Sequence, residues 1–113
     1  MRADVFDSAC PSRTVLEHVT GKWAVLVLVA LNREEHRFSA LRRAIGGVSE
    51  KMLAQTLRTL EADGFVQREV VPTTPPQVTY RLTPLGRDIT AHLTGLMTWI
   101  QDSLPVIMAA RAS

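Results

Sequence analysis

With a single cysteine, Cys10, the chain has no partner for an intramolecular disulfide, which fits a reducing compartment. Aromatic residues make up only 5% of its 113 positions, so its core is expected to be mainly aliphatic. The longest apolar run, Trp23 to Leu31, is nine residues. That is far short of the roughly 20 that span a bilayer, so it reads as a buried helix and no membrane partner is expected. The opening ten residues lack the basic-then-apolar layout of a signal peptide, and the expectation is a soluble, cytoplasmic protein. No repeat or low-complexity tract occurs. No nucleophile, carboxylate pair or glycine-rich phosphate loop is arranged for chemistry, which argues against an enzyme and calls for no cofactor.

Charge is also scarce overall, at +2, but it is unevenly placed. Residues 36–82 hold seven basic side chains against four acidic ones, whereas residues 1–35 are slightly acidic and residues 83–113 are balanced. The positive excess therefore lies in the middle of the chain, where a phosphate-facing surface is to be sought.

The length suits one domain. Residues 1–10 read as a loose segment. Pro11 suits the first position of a short helix with Val15, Leu16 and Val19 on one face, ended by Gly21. A second helix over Lys22 to Leu31 is apolar nearly all round and belongs at the centre of the core. Asn32 to His36 is a polar turn. Ser39 can cap a third helix, Ala40 to Ile45, and Ser49 a fourth, which runs to Asp63 and stops at Gly64. Two helices joined by the short turn Gly46-Gly47-Val48 form a helix-turn-helix over residues 39–63.

The period then changes to two. Phe65 to Val71 and Val78 to Leu82 read as half-buried strands around Pro72-Thr73-Thr74-Pro75-Pro76, a stiff loop. A hairpin over residues 65–82 directly after a helix-turn-helix is a wing. Thr83 and Pro84 then open a last helix carrying Ile89, Leu93, Leu96, Met97, Ile100 and Leu104, with Pro105 expected to end or kink it and residues 105–113 to fray. The fold class is thus mostly α with a small β-hairpin, a winged helix-turn-helix over residues 11–104 with its final helix over residues 84–104.

Geometry divides the fourth helix. At 100° per residue, Leu53, Leu57 and Leu60 face the core and Lys51, Gln55 and Arg58 face away, flanked by Met52, Thr56 and Thr59. Lys and Arg can pair with guanine, Gln with adenine, and an apolar group can meet the thymine methyl. Lys51, Met52 and Gln55 rank first as base readers because the N-terminal half of such a helix enters deepest. Ser49 is a phosphate candidate through its hydroxyl or the helix amides. Arg42 and Arg43, on the preceding helix, are expected to meet the sugar-phosphate backbone. In the wing, Thr73, Thr74, Gln77 and Arg81 are candidates for backbone or minor-groove contact. An isolated helix with such a face would be read as merely solvated; the full order of elements is what favours duplex DNA.

The order and spacing of several short motifs resembles the HxlR family of bacterial winged-helix regulators. They are Cys10-Pro11, Gly21-Lys22-Trp23, Arg37-Phe38-Ser39-x-Leu41-Arg42, and Val48-Ser49-x-Lys51-Met52-Leu53. Leu57-Arg58-x-Leu60-Glu61-x-Asp63-Gly64 follows, then Val71-Pro72, Pro75-Pro76-x-Val78-x-Tyr80 and Leu82-Thr83-x-Leu85-Gly86. Glu50 departs from the neutral polar residue frequent at its place. The resemblance spans Cys10 to about Ile100 and implies a MarR-like regulator that binds a palindromic operator as a homodimer, often controlling its own or an adjacent gene. It also implies dimerisation through the first and last helices, here Val15, Leu16, Val19, Leu93, Leu96, Met97, Trp99, Ile100 and Leu104. Repression is the expected mode.

Cys10 matches a cysteine that senses oxidants, quinones or aldehydes in several members of that family, and its place before a helix N-terminus favours the thiolate. The alternative is a small residue packed under the first helix. Other readings are a winged-helix platform for protein partners and a regulator controlled by a small-molecule ligand without thiol chemistry. A metal site is disfavoured, since Cys10, His18, His36 and His92 share no ligand spacing.

Overall fold

A computed structural model describes residues 4–113. The elements run α1 (Pro11–Thr20), α2 (Lys22–Arg33), β1 (His36–Arg37), α3 (Phe38–Ala44), α4 (Glu50–Ala62), β2 (Val66–Val71), β3 (Gln77–Leu82) and α5 (Pro84–Ala112). This is the mostly helical winged helix-turn-helix that the periodicities predict. Residues 4–10 form successive turns, in which the Asp7 amide donates to the Asp4 carbonyl and the Cys10 amide to that of Asp7.

The core is aliphatic, as the shortage of aromatics requires. Val27 and Leu28 of α2 are fully buried and meet Leu41 of α3, Leu53, Leu57 and Leu60 of α4, and Leu93 of α5. Val48, in the turn between α3 and α4, plugs the same core, and Gly47 beside it has φ +87°, a backbone state that glycine adopts without strain.

α4 begins and ends where the sequence places its signals. The Ser49 hydroxyl accepts from the Met52 amide at 3.1 Å. At the other end the Phe65 amide donates to the Leu60 carbonyl and the Gly64 amide to that of Glu61, with Gly64 at φ +82°. That is the Schellman arrangement, sealed by Leu60 and Phe65, both buried. His18 of α1 reaches this cap, its Nδ1 lying 2.6 Å from an Asp63 carboxylate oxygen.

Four expectations change. The wing is part of a three-stranded antiparallel sheet ordered β1-β3-β2, because His36 and Arg37 leave the turn and pair with Tyr80 and Thr79. Two residues are too few to show alternation. α3 starts at Phe38, its N-cap being the extended Arg37 with no side-chain bond, so Ser39 lies inside the helix. Along β2 only Val66 is buried; Val70 is 48% exposed, since the hairpin extends beyond the body that would cover it. Finally, α5 continues through Pro105 to Ala112 rather than stopping or fraying there. The proline deprives only the Gln101 carbonyl of its helical donor, and Gln101 is exposed, so water can serve it.

Candidate nucleic-acid interface

The outer side of α4 is a continuous polar face. Lys51, Met52, Gln55 and Arg58 are exposed there, opposite the buried Leu53, Leu57 and Leu60. Thr56 and Thr59 flank it half-buried, and each hydroxyl donates to the carbonyl four residues back, Met52 at 2.8 Å and Gln55 at 3.1 Å. Their protons are thus occupied within the helix, leaving them as acceptors toward any ligand.

At the N-terminal end of α4 lies a concavity of about 620 Å³ lined by Arg42, Arg43, Gly46, Gly47 and Ser49 above Ile45 and Val48. The first amides of α4 and the helix dipole make such a place favourable for an anion. The two arginines behave differently. Arg42 Nε donates to the Val48 carbonyl and its Nη1 to Glu50 Oε1, both at 3.3 Å. Arg42 therefore braces the turn between α3 and α4 and pairs with the first residue of α4. Its remaining donors are free for phosphate. Arg43 has no ion-pair partner among the described residues.

The wing residues are less free than their sequence suggests. Gln77 Oε1 accepts from Arg37 Nη2 at 2.6 Å, and Arg81 pairs with Glu69 at 3.0 Å across the β2–β3 ladder. Thr73 and Thr74 stand exposed at the tip, where the Thr73 hydroxyl donates to the Pro75 carbonyl. Arg37, absent from the sequence candidates, is brought to the wing by β1. Only the sheet register shows it.

Away from this side, the apolar faces of α1 and α5 divide in two. Val19 and Leu93, expected in a subunit interface, are 5% and 6% exposed and belong to the chain's own core, so they have little surface left for a partner. Val15, Leu16, Leu96, Trp99, Ile100 and Leu104 are exposed, Met97 is half-buried, and Val106 and Met108 extend the stripe past Pro105.

Cys10 is half-buried at the N-cap of α1, its sulfur 3.0 Å from the Ser12 hydroxyl. Hydrogen bonds from the Ser12 side chain, then from the Ser12 amide, hold the thiol below its ordinary value, against the opposing pull of partial burial. Replacing Ser12 with alanine is expected to raise that pKa and slow alkylation of Cys10 by iodoacetamide at neutral pH. The check is the midpoint of the rate against pH, which moves upward; an unmoved midpoint would show that the hydroxyl does not activate the sulfur. Among the described residues no three His, Cys, Asp or Glu side chains are placed to hold a metal ion. No single helix there is long and apolar enough to cross a membrane.

A family model described as HxlR-like helix-turn-helix matches residues 18–108. The HTH-type transcriptional regulator YtfH of Escherichia coli is 55% identical over 108 residues, which cover 96% of this chain and 86% of YtfH. Among solved structures, the transcriptional regulator YtfH from Salmonella typhimurium superposes with a TM-score of 0.94 at 52% identity, covering 99% of this chain and 100% of that one. The redox regulator HypR in its reduced form superposes with a TM-score of 0.80 at 32% identity, covering 88% and 98%.

Proposed function

The chain belongs to the HxlR-like helix-turn-helix family of transcriptional regulators, and from that premise we propose that it is a cytoplasmic repressor that binds a palindromic operator in duplex DNA as a two-fold homodimer. The observation that carries the reading is the outer side of α4. Lys51, Met52, Gln55 and Arg58 form one exposed face, beside a concavity lined by Arg42, Arg43 and Ser49. Base edges are read by Lys51, Met52 and Gln55, at the N-terminal half of that face, and phosphates are held in the concavity.

Footprinting on the DNA that flanks the protein's own gene tests it. The expected result is two half-sites about one helical turn, roughly 34 Å, apart; a footprint on one half-site alone would contradict the dimer. Replacing Gln55 with alanine is expected to lower affinity for that site by about 2 kcal/mol, roughly thirtyfold, while binding to unrelated duplex is unchanged. Equal losses on both duplexes would remove Gln55 from base reading.

For regulation we propose Cys10 as the responsive group. Two observations support it: the hydrogen bonds from Ser12 that favour the thiolate, and the likeness to HypR, a redox regulator solved in reduced and oxidised forms. Toward a quinone, the sulfur adds to a ring carbon as the ring's C=C π pair shifts onto the conjugated carbonyl oxygen, which takes up the proton the thiol gave up. The product is a bulky adduct at the start of α1, formed with no outside oxidant. The adduct displaces α1 and weakens operator binding. A Cys10→Ser chain whose operator complex is released by quinone as readily as the wild type would refute this.

A further inference from the structure

A second concavity, of about 390 Å³, lies along the flank of α4 that faces the sheet. Ala54, Leu57, Arg58 and Glu61 line it from the helix, Arg68 from β2 and Tyr80 from β3. Arg68 and Tyr80 are cross-strand partners, so their side chains leave the same face of the sheet. Arg58 stands on the helix wall. It lies about 20° around the helix axis from Lys51 at 100° per residue, so the groove opens toward the side that carries the reading face. Neither Arg58 nor Arg68 has an ion-pair partner among the described residues, unlike Arg42 and Arg81. Glu61 shares the groove without pairing with either, which leaves a net positive charge.

A helix with its side chains is roughly 10–12 Å across, and the major groove is about 12 Å wide. A helix that reads base edges therefore brings its flanks against the phosphate chains that border the groove. We propose that the cleft between α4 and the sheet clamps a backbone phosphate of duplex DNA, with Arg58 and Arg68 donating to its oxygens from opposite walls and the Tyr80 hydroxyl between them. Such a contact fixes the register of the helix on the duplex and carries no sequence information. The clamp rests on the reading of the chain as a duplex-binding regulator, and its test separates the two.

The experiment measures affinity of the full chain for the DNA flanking its own gene and for an unrelated duplex of equal length, between about 50 and about 200 mM salt. Arg68→Ala is expected to make the slope of log K against log salt shallower by about 0.9 on both duplexes, an eightfold difference in affinity per decade of salt. Arg68→Lys, which keeps the charge, retains the wild-type slope, and Glu61→Gln binds both duplexes more tightly than the wild type. Circular dichroism verifies that each variant is folded. An Arg68→Ala chain with wild-type slope overturns the clamp and leaves DNA binding standing. A loss confined to the flanking DNA makes Arg68 a base reader and also overturns it. A wild-type chain that binds neither duplex overturns both proposals.

Discussion

Replacing Gly86 with alanine is expected to destabilise the fold by about 3 kcal/mol and to lower Tm by roughly 10–20 °C in a domain of this size. Helix propensity alone points the other way, since Gly86 lies in the first turn of α5 and alanine is the better helix former by about 1 kcal/mol. Packing decides the sign. A Cβ at Gly86 would overlap the Phe65 carbonyl oxygen and sit 3.0 Å from its carbon. That carbonyl cannot yield easily, because it accepts from the Thr83 amide at 3.0 Å and the Phe65 amide closes the C-terminus of α4. The Thr83 hydroxyl adds a bond to the Gly64 carbonyl at 2.6 Å and accepts from the Gly86 amide at 3.0 Å. Relief of the overlap therefore means lifting α5 off the C-terminal end of α4. Thermal unfolding followed by circular dichroism measures the effect, and a Tm within about 2 °C of the wild type would show that the junction is softer than its hydrogen bonds imply.

That junction also shows what was legible in the sequence. Thr83-Pro84 announces a helix start, and Gly64 a helix stop, because caps and glycines act within a few residues of chain. What a one-dimensional reading lacks is that the two ends touch. The same limit runs through the candidate interface. The outer face of α4 follows from helical period alone, so Lys51, Gln55 and Arg58 were separable from Leu53, Leu57 and Leu60. Arg68 and Tyr80 meet across a ladder and Arg37 joins through a two-residue strand, so their convergence needs the register. The apolar stripe on α5 was visible too, but not which half of it the chain keeps for itself. Leu93 belongs to the core that α2 builds, whereas Pro105 does not stop the helix, because the carbonyl it deprives belongs to the exposed Gln101 and water reaches it.

The chain carrying both Leu96→Asp and Ile100→Asp is expected to be monomeric and to lose operator binding, the other large effect. On α5 the buried residues are Gly86, Thr90 and Leu93 alone, so the remaining turns project with Leu96 51%, Trp99 60% and Val106 75% exposed. A helix extending so far without support gains little from propensity, and a contiguous apolar stripe of this length marks an interface. In a two-fold dimer each substitution occurs twice. At about 1.5 kcal/mol or more for each large apolar side chain no longer buried, four such losses weaken association by roughly 6 kcal/mol, or more than ten-thousandfold. Neither residue belongs to the core, so the winged domain itself remains folded and its melting separates loss of assembly from loss of fold. Sedimentation at micromolar concentration gives the mass, and the same samples are assayed on the footprinted DNA. A double variant that still sediments as a dimer would place the subunit contact elsewhere. One that is monomeric yet binds both half-sites with wild-type affinity would show that the operator does not require the pair.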